Sequence, residues 1–350
     1  MFKFKKYTIL SLISFTFLLI LSATTVFLID PYQHYRKAEF YKPYSFDNRY
    51  MVWGLLKNYD YDSVLIGSSM TANFRKDYVD DDLNLNILRV PLPGATAYEE
   101  NLLIQKALQN KKLSTVIIGL DLVSFIGGKQ KVRVEKYEIP SYLMNNSYID
   151  DFKYLLNMDV LFRDSMKIFV SNFLGIKVDM IDFNTFWNWD YQHNFGKEFW
   201  VENYFTHREK SNIKNVYNIN KLKESFNYNI LPHFKNNPNI EFIIFFPPYS
   251  VLEWKSLERQ KSLKDAFEFK RYIVKQSSKY ANIKIYDFQI EKNITHNLDN
   301  YMDQNHYSGE INRWIISQIK DDNYLVSDSN VDMNLSILKE QITNYNLIDF

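Results

Sequence analysis

The 350-residue sequence predicts an α/β protein whose doubly wound parallel sheet follows an N-terminal transmembrane helix. Three observations predict this class: short apolar segments recur along the chain, amphipathic segments lie between them, and a long uncharged segment lies near the N-terminus. Alternating strands and helices are typical of a three-layer protein, in which helices cover both faces of a parallel sheet.

The first predicted element is a membrane helix formed by the uncharged segment 7–29. A helix of about 20 residues crosses the hydrocarbon core of a bilayer, and the apolar part of a cleaved signal is usually shorter. We therefore expect residues 1–30 to form a cytoplasmic tip and an uncleaved anchor. A cleaved signal peptide is the alternative, although the residues around Ala23 make a poor cleavage site.

Basic residues before this helix predict its orientation. Lys3, Lys5 and Lys6 precede it, and the positive-inside rule places them in the cytoplasm. Arg36 and Lys37 weaken this bias, but a long C-terminal domain is translocated largely regardless of nearby charge. The sequence thus predicts a single-pass protein of the cell membrane. Its remaining residues, beginning with a juxtamembrane segment over 31–58, are expected outside the cytoplasm.

Five apolar segments after residue 58 predict the strands of the sheet. They are rich in β-branched or aromatic residues and nearly continuously apolar, as is typical of parallel strands buried on both faces. Amphipathic segments that begin at Ala97 and Ser262 predict helices between strands. The predicted strands are SVLIG (63–67), LNILRV (85–90), TVIIGL (115–120), EFIIFF (241–246) and IKIYDF (283–288).

An aromatic-rich segment over about 125–231 interrupts this alternation and shows no clear helical or strand period. We predict that it is an insertion within an α/β domain that extends over 59–322. The insertion is expected either to form a cleft wall or cap above the sheet, or to be a surface excursion without that role. Residues 323–350 are predicted to form a C-terminal tail with one helical segment.

Composition argues against several classes of function. Lys and Arg together number 42 and Asp and Glu 41, so the chain lacks the basic surplus of a typical nucleic-acid-binding protein. Because the chain contains no cysteine, it has no disulfide framework, thiolate metal site or cysteine nucleophile. His, Asp and Glu show no convincing metal-ligand spacing, so neither a metal ion nor a cofactor is expected.

Residues suited to acyl transfer follow the predicted strands, at the sheet edge where α/β proteins bind ligands. Ser69 comes just after the first strand, and Asp303 and His306 lie three residues apart after the last one. A serine hydroxyl needs an adjacent base such as histidine, which in turn needs a carboxylate to fix its tautomer. Each signal is weak alone, but their order along the chain favours Ser69 as a nucleophile.

Backbone amides near the same edge are candidates for stabilising an oxyanion. Gly94 follows the second strand and would let a backbone N–H approach a substrate closely, and the N–H of Ser69 lies at the start of a predicted helix. Tyr249 and Ser250 follow the fourth strand and are candidate substrate contacts, with a purely structural loop as the alternative.

Together, the segments IGSSMTANF, PLPGATAYEE and DQNHYS resemble the sequence blocks of the SGNH/GDSL hydrolase superfamily. The resemblance extends over about 59–319 and is greatest to membrane-anchored branches that act on cell-envelope polymers. These include the teichoic acid D-alanyl transfer protein and the alginate and peptidoglycan O-acetylation proteins. It implies a flavodoxin-like sheet with Ser69 as nucleophile, His306 as general base and Asp303 as its orienting carboxylate. It also implies that Gly94 and the Ser69 amide are oxyanion donors.

The third block of the chain departs from the superfamily pattern. The superfamily typically has Gly-x-Asn-Asp there, and its Asn side chain donates to the oxyanion, whereas this chain has Gly119-Leu120-Asp121. An ionised carboxylate cannot donate a hydrogen bond and repels an oxyanion. Asp121 is therefore a doubtful oxyanion residue. It is expected to face away, to hold a helix N-terminus or to bind an acceptor hydroxyl.

From the resemblance we expect an extracytoplasmic serine esterase or O-acyltransferase that acts on acyl esters of a cell-envelope polysaccharide. A membrane O-acyltransferase is a candidate partner. The alternative is a catalytically inactive scaffold or a glycan-binding component of an envelope-modification complex. Hydrolysis and transfer both stay open, because no motif shows whether water or an acceptor reaches the acyl-enzyme.

Overall fold

A five-stranded parallel sheet forms the centre of the protein. The computed structural model describes residues 2–44, 46–133, 140–145, 147–175, 182–210 and 215–347, except for the side chains of residues 2, 3 and 207–210. The strands are β1 (Ser63–Gly67), β2 (Ile87–Pro91), β3 (Thr115–Gly119), β4 (Glu241–Phe246) and β5 (Ile283–Asp287). Their order is β2-β1-β3-β4-β5, and every neighbouring pair is parallel. All five predicted strands are present, with bounds that differ by at most two residues.

The helices connect these strands and flank them at both ends of the chain. The described α-helices are α1 (Phe2–Ile29), α2 (Asn48–Asn58), α3 (Lys76–Leu83), α4 (Ala97–Asn110), α5 (Ser141–Met144), α6 (Phe152–Leu155), α7 (Met166–Phe173), α8 (Lys197–Lys210), α9 (Ile219–Asn229), α10 (Leu231–Asn236), α11 (Val251–Arg259), α12 (Leu263–Ser277), α13 (Lys292–Thr295), α14 (Gly309–Lys320) and α15 (Val331–Asn344). A π-helical turn, Val160–Ser165, directly precedes α7.

Helices cover the two faces of the sheet. The chain passes from β1 out to β2 and then back across β1 to β3. Because crossover connections between parallel strands are right-handed, this reversal puts α3 and α4 on opposite faces. Accordingly, α3 packs with α14, whereas α4 packs with α9, which also contacts α10 and α12. The predicted doubly wound α/β class is confirmed.

The chain divides into two compact units. The first comprises residues 1–60 and 137–182, and the second comprises residues 61–136 and 183–350. The aromatic-rich segment over 125–231 thus contributes to both units, whereas the sheet and α15 belong to the second unit.

Within the first unit, α1 is long and apolar enough to cross a membrane over Phe4–Ile29, and it is the one such helix among the described residues. The chain turns sharply after it, because Asp30 takes a left-handed backbone conformation with φ of 46°. The Asp30 carboxylate accepts hydrogen bonds from the backbone N–H groups of His34 and Tyr35 and from the Tyr154 hydroxyl. The end of α1 is thereby tied to the folded part of its unit.

Candidate active site

The carboxyl ends of β1 and β3 form the floor of the candidate site. In the sheet register Gly67 pairs with Gly119. A side chain at Gly67 would bring its Cβ to 2.9 Å from the Gly119 carbonyl oxygen, so this approach requires glycine. The strand order also reverses at β1 and β3, and open α/β sheets bind ligands at such a switch point.

Ser69 lies directly above this floor and is presented to solvent. Every residue of 63–74 is buried except Ser69, which is half-buried. Its Oγ lies 2.7 Å from Nε2 of His306, and Nδ1 of His306 lies 2.7 Å from Oδ2 of Asp303. The structure therefore brings together the three residues that the sequence identified, although Ser69 and His306 are 237 positions apart.

The Asp-x-x-His spacing forms a turn that is built around one carboxylate. Oδ1 of Asp303 accepts hydrogen bonds of 2.8 Å from the backbone N–H groups of Asn305 and His306. The Asp303 side chain thus shapes its own turn, as Asp commonly does. Because its other oxygen contacts the imidazole, the same carboxylate fixes the backbone and the ring of His306 together.

The interaction between Asp303 and His306 favours the protonated form of the His306 imidazole. Burial disfavours the imidazolium, but the hydrogen bond and charge of Asp303 outweigh it and raise the pKa of His306. Burial also disfavours the Asp303 carboxylate, whereas its hydrogen bond and charge interaction with His306 hold the pKa of Asp303 below its usual range. The pair therefore stabilises the charge that His306 acquires on taking a proton.

Two backbone N–H groups, of Ser69 after β1 and of Gly94 after β2, have no acceptor among the described residues. Leu92 donates to the Gly67 carbonyl, and Ala95 donates to the Leu92 carbonyl across a tight turn in which Gly94 has φ of 63°. Proline followed by glycine with positive φ at the centre of a turn is typical of type II. Among the described residues, neither the Ser69 nor the Gly94 N–H donates a hydrogen bond. Both can therefore donate to a developing oxyanion.

Asp121 is buried and accepts two hydroxyl hydrogen bonds. One comes from Ser68, next to the candidate nucleophile, and the other comes from Tyr249. Asp121 precedes a short 3₁₀ helix, Leu122–Phe125, but its side chain makes no capping hydrogen bond there. Burial raises the pKa of Asp121, and the two hydroxyls together with the charge of His306 oppose this rise. The Asp121 carboxylate thus holds the turn that carries Ser69 by accepting a hydrogen bond from the Ser68 hydroxyl.

Two further buried carboxyl groups lie near these charges. Burial, followed by the charges of Asp303 and Asp121, raises the pKa of Glu253 to about 8. Burial and the charge of Asp121 also raise the pKa of Glu100 well above its ordinary value. The charge of Asp303, followed by that of Asp121, raises the pKa of His306.

Trp189 is a site residue that sequence reasoning did not single out. Its indole Nε1 donates to the Ser69 carbonyl at 3.2 Å, and its ring lies edge-on to the His306 ring at 5.3 Å between centroids. Oδ1 of Asn73 accepts hydrogen bonds from the backbone N–H groups of Trp189 and Asp190. The only sequence signal was the aromatic-rich composition of the segment in which Trp189 lies.

Arg89 of β2 contacts both the turn that carries Ser69 and the aromatic-rich segment that contains Trp189. Its buried guanidinium donates to the carbonyls of Ala72 and Phe74, which follow Ser69, and to Oδ1 of Asn188 and the carbonyl of Phe186. An arginine in a strand buried on both faces needs many acceptors, because a buried charge without them is costly. Arg89 thus fixes the backbone on both sides of the site.

A cleft of about 500 Å³ borders the site at Asp303. Its walls combine aromatic rings, amides and a guanidinium, which is the composition expected for binding a polar ligand with apolar faces. The lining residues are Phe199, Trp200, Asn203, Tyr204, Ser256, Arg259, Gln260, Met302, Asp303, Gln304 and Asn305. Within the described part of the chain, no group of three or more His, Asp or Glu side chains is arranged to hold a metal ion.

Comparisons with known proteins give little similarity. No protein-family model matches the chain, and no curated protein matches it. One solved structure, described as that of a "putative platelet activating factor from Streptococcus pneumonia", is 9% identical and has a TM-score of 0.39. The match covers 79% of this chain and 90% of that one. A TM-score this low does not indicate a shared fold.

Proposed function

We propose that the chain is a membrane-anchored serine esterase or O-acyltransferase that acts on acyl esters of a cell-envelope polysaccharide. The observation that carries this proposal is the continuous relay from Ser69 Oγ through His306 to Asp303, with 2.7 Å at each step. This relay lies at the switch point of the sheet, and the N–H groups of Ser69 and Gly94, in the loops after β1 and β2, can donate to an oxyanion.

Acylation begins when Oγ of Ser69 attacks the ester carbonyl carbon. His306 Nε2 takes the hydroxyl proton, and the carbonyl electron pair moves onto oxygen, where the Ser69 and Gly94 amides donate to it. When the intermediate collapses, the alcohol oxygen leaves with its bonding electrons and takes the proton from His306. The product is an acyl ester of Ser69, and Asp303 stays ionised throughout.

Deacylation repeats these steps with a second hydroxyl compound. Water or an acceptor hydroxyl gives its proton to His306, attacks the acyl carbon and releases Ser69, which regains a proton. Water yields a free acid, whereas a sugar hydroxyl yields a new ester. The cleft beside Asp303 supports a sugar ligand, because its aromatic rings suit the apolar faces of sugars and its amides and Arg259 suit hydroxyl groups.

The location and partner belong to the same proposal. The apolar helix α1 supports anchoring in the cell membrane. We place the second unit outside the cytoplasm because Lys3, Lys5 and Lys6 precede α1. A membrane O-acyltransferase that supplies the acyl group is proposed from the family resemblance.

Active-site labelling of the purified full chain tests the nucleophile. A fluorophosphonate probe reacts with activated serines, so we expect the unmodified protein to be labelled and to hydrolyse p-nitrophenyl acetate. Ser69→Ala should abolish both signals. Ser336→Ala is the matched control, because this exposed serine of α15 lies outside the site and its loss should change neither signal.

The proposal fails if folded, unmodified protein is not labelled, or if Ser69→Ala is labelled as strongly as the control. Binding of oligosaccharides without turnover would instead favour the glycan-binding alternative. Adding oligosaccharide acceptors during turnover separates the two activities, because a transferase forms an acylated sugar and an esterase releases only acid.

A further inference from the structure

The helical segment 158–173 of the first unit has an unusual distribution of side chains. Large apolar residues lie on its exposed side at helical spacing: Phe162, Met166, Phe169 and Phe173 are 61%, 47%, 43% and 58% exposed. Helices of soluble proteins normally turn such a stripe towards the core. Contiguous exposed apolar surface marks an interaction site.

The opposite side of the same segment is buried and partly polar. Asp164, Ser165 and Ser171 are buried there, together with Val160 and Ile168. The buried Asp164 carboxylate accepts a hydrogen bond of 2.6 Å from the Tyr32 hydroxyl, so it has a specific donor in the folded unit. This contact fixes the rotation of the segment, and the apolar stripe therefore cannot turn inward without breaking it.

The stripe belongs to the part of the first unit that surrounds the end of the membrane helix. α1 packs against α6 and against the π-helical turn Val160–Ser165. Val26, four residues before Asp30, is fully buried, whereas most of α1 before it is exposed. The exposed apolar stripe thus lies on an element that packs directly against the apolar helix α1. Ile149 and Phe152, which precede the segment, are exposed apolar residues of the same unit.

Charge does not account for this surface. Residues 148–174 contain the acids Asp150, Asp151, Asp159 and Asp164 and the bases Lys153, Arg163 and Lys167, which gives a net charge of 3 − 4 = −1. A surface that bound anionic groups electrostatically would be basic. The apolar side chains are therefore the feature that selects the partner.

We infer that this face lies in the outer interface of the lipid bilayer that α1 crosses, with Phe162, Phe169 and Phe173 inserted among the upper acyl chains. The inference rests on the proposed membrane insertion of α1. Apolar faces of interfacial helices enter the boundary between headgroups and acyl chains by roughly 5–10 Å. With α1 crossing the bilayer and this segment lying in its interface, the first unit contacts the membrane at two places.

Site-specific fluorescence in reconstituted vesicles tests the inference. Because the chain has no cysteine, Phe162→Cys, Phe169→Cys and Phe173→Cys can each carry a single environment-sensitive fluorophore in the full chain. In vesicles of neutral phosphatidylcholine we expect blue-shifted emission at all three positions. Lipids brominated near the headgroup end of the acyl chain should quench it more strongly than lipids brominated near the chain end. Because the face carries almost no net charge, 1 M NaCl should leave the emission unchanged.

Two matched positions calibrate these signals. Phe17→Cys in α1 replaces a phenylalanine of similar exposure, 63%, and should be quenched best by the deeper bromines. Met333→Cys on α15, at 60% exposure in the second unit, should emit as in water and resist both quenchers. Far-UV circular dichroism verifies that each variant keeps its helical content.

Emission at positions 162, 169 and 173 equal to that at 333 overturns the inference. If the Phe17→Cys label is still quenched in that case, the anchor stands and only the interfacial face is wrong. If the Phe17→Cys label also emits as in water, α1 does not lie in the bilayer and the proposed anchor is wrong. Shielding in native membranes but not in pure lipid vesicles would assign the face to a protein partner and would also overturn the lipid proposal.

Discussion

At the scale of single residues, Asp121 is a buried hydrogen-bond acceptor beside the turn that carries Ser69. Both of its oxygens accept hydroxyl hydrogen bonds, from Ser68 and Tyr249. An asparagine has only one oxygen acceptor, so it could not accept both hydroxyls in the same way. The carboxylate therefore anchors the turn that carries Ser69, and its charge raises the pKa of His306.

Asp121→Asn should move the acidic limb of the pH–rate profile to lower pH. The reaction needs neutral His306 as a base, so the rate falls as pH drops through the pKa of His306. Asp303 and Asp121 raise this pKa above its ordinary value, and removing the Asp121 charge lowers it. The pH dependence of kcat/KM for p-nitrophenyl acetate measures the change, because it reports groups of the free enzyme.

Tyr249→Phe is the matched control for this prediction. It removes a hydrogen bond to the Asp121 carboxylate but keeps the carboxylate itself. The acidic limb of the pH–rate profile should therefore move less than in Asp121→Asn. An acidic limb that stays in place or moves to higher pH in Asp121→Asn would show that the Asp121 charge does not act on His306.

The residues of the site differ in how far the sequence could predict them. Asp303 and His306 share one local turn, and Ser69 and Gly94 follow strands, so spacing and strand position predicted where they lie. Trp189 could not be predicted in this way, because its acceptor is a backbone carbonyl 120 positions away. Backbone acceptors leave no pattern in the sequence, and the same holds for the acceptors of Arg89.

At the scale of elements, the part of the aromatic-rich segment that contains Trp189 packs against the candidate active site. Asn73 and Arg89 contact its backbone, and the indole contacts both Ser69 and His306. The sequence left open whether the insertion was a cleft wall or a surface excursion. Phe199, Trp200 and Tyr204 of the same segment line the cleft beside Asp303, so this part of it forms a wall.

Trp189→Phe should lower kcat about two- to tenfold and leave KM nearly unchanged. Phenylalanine keeps an aromatic ring beside His306 but removes the N–H that holds the Ser69 carbonyl. A net hydrogen bond is worth about 0.5–1.5 kcal/mol, and 1.36 kcal/mol in the barrier is a factor of about ten in rate. Steady-state kinetics with p-nitrophenyl acetate measure both constants.

Tyr191→Phe serves as the control, because this neighbouring aromatic residue is strongly exposed and its hydroxyl accepts a hydrogen bond from the side chain of Gln192. Its kinetic constants should match those of the unmodified protein. A rise in KM alone in Trp189→Phe would identify Trp189 as a substrate contact and would contradict a positioning role.

At the scale of the whole molecule, the sequence predicted the elements that depend on local composition. Continuous apolar segments predicted the strands and α1, because burial in a sheet or a membrane leaves a direct compositional signal. The stripe over 158–173 was missed, because its buried side contains Asp164, whose partner Tyr32 lies 132 positions away. Which side of that helix faces inward depends on a tertiary contact rather than on periodicity.

Cysteine accessibility tests how the whole chain is oriented in the membrane. Because the natural sequence has no cysteine, a membrane-impermeant maleimide reports one introduced position at a time. In spheroplasts we expect Met333→Cys to react at once, since the second unit should lie outside the cytoplasm. Phe4→Cys should react only after permeabilisation, because Lys3, Lys5 and Lys6 hold the N-terminus inside. Both substitutions keep every charge near α1, so they do not bias the orientation that they report.

The opposite labelling pattern would contradict this orientation. It is a real alternative, because Arg36 and Lys37 follow α1 and place positive charge on the far side as well. In the structure, however, Arg36 donates to the carbonyl of Leu28, and its guanidinium lies 4.8 Å from the centre of the Phe27 ring. A guanidinium engaged with the C-terminal carbonyls of the helix offsets their partial negative charge. We therefore expect the three lysines before α1 to outweigh Lys37 and the partly offset Arg36. Loss of the Phe4→Cys label together with a shortened chain would instead reveal cleavage after α1, and the anchor would be wrong.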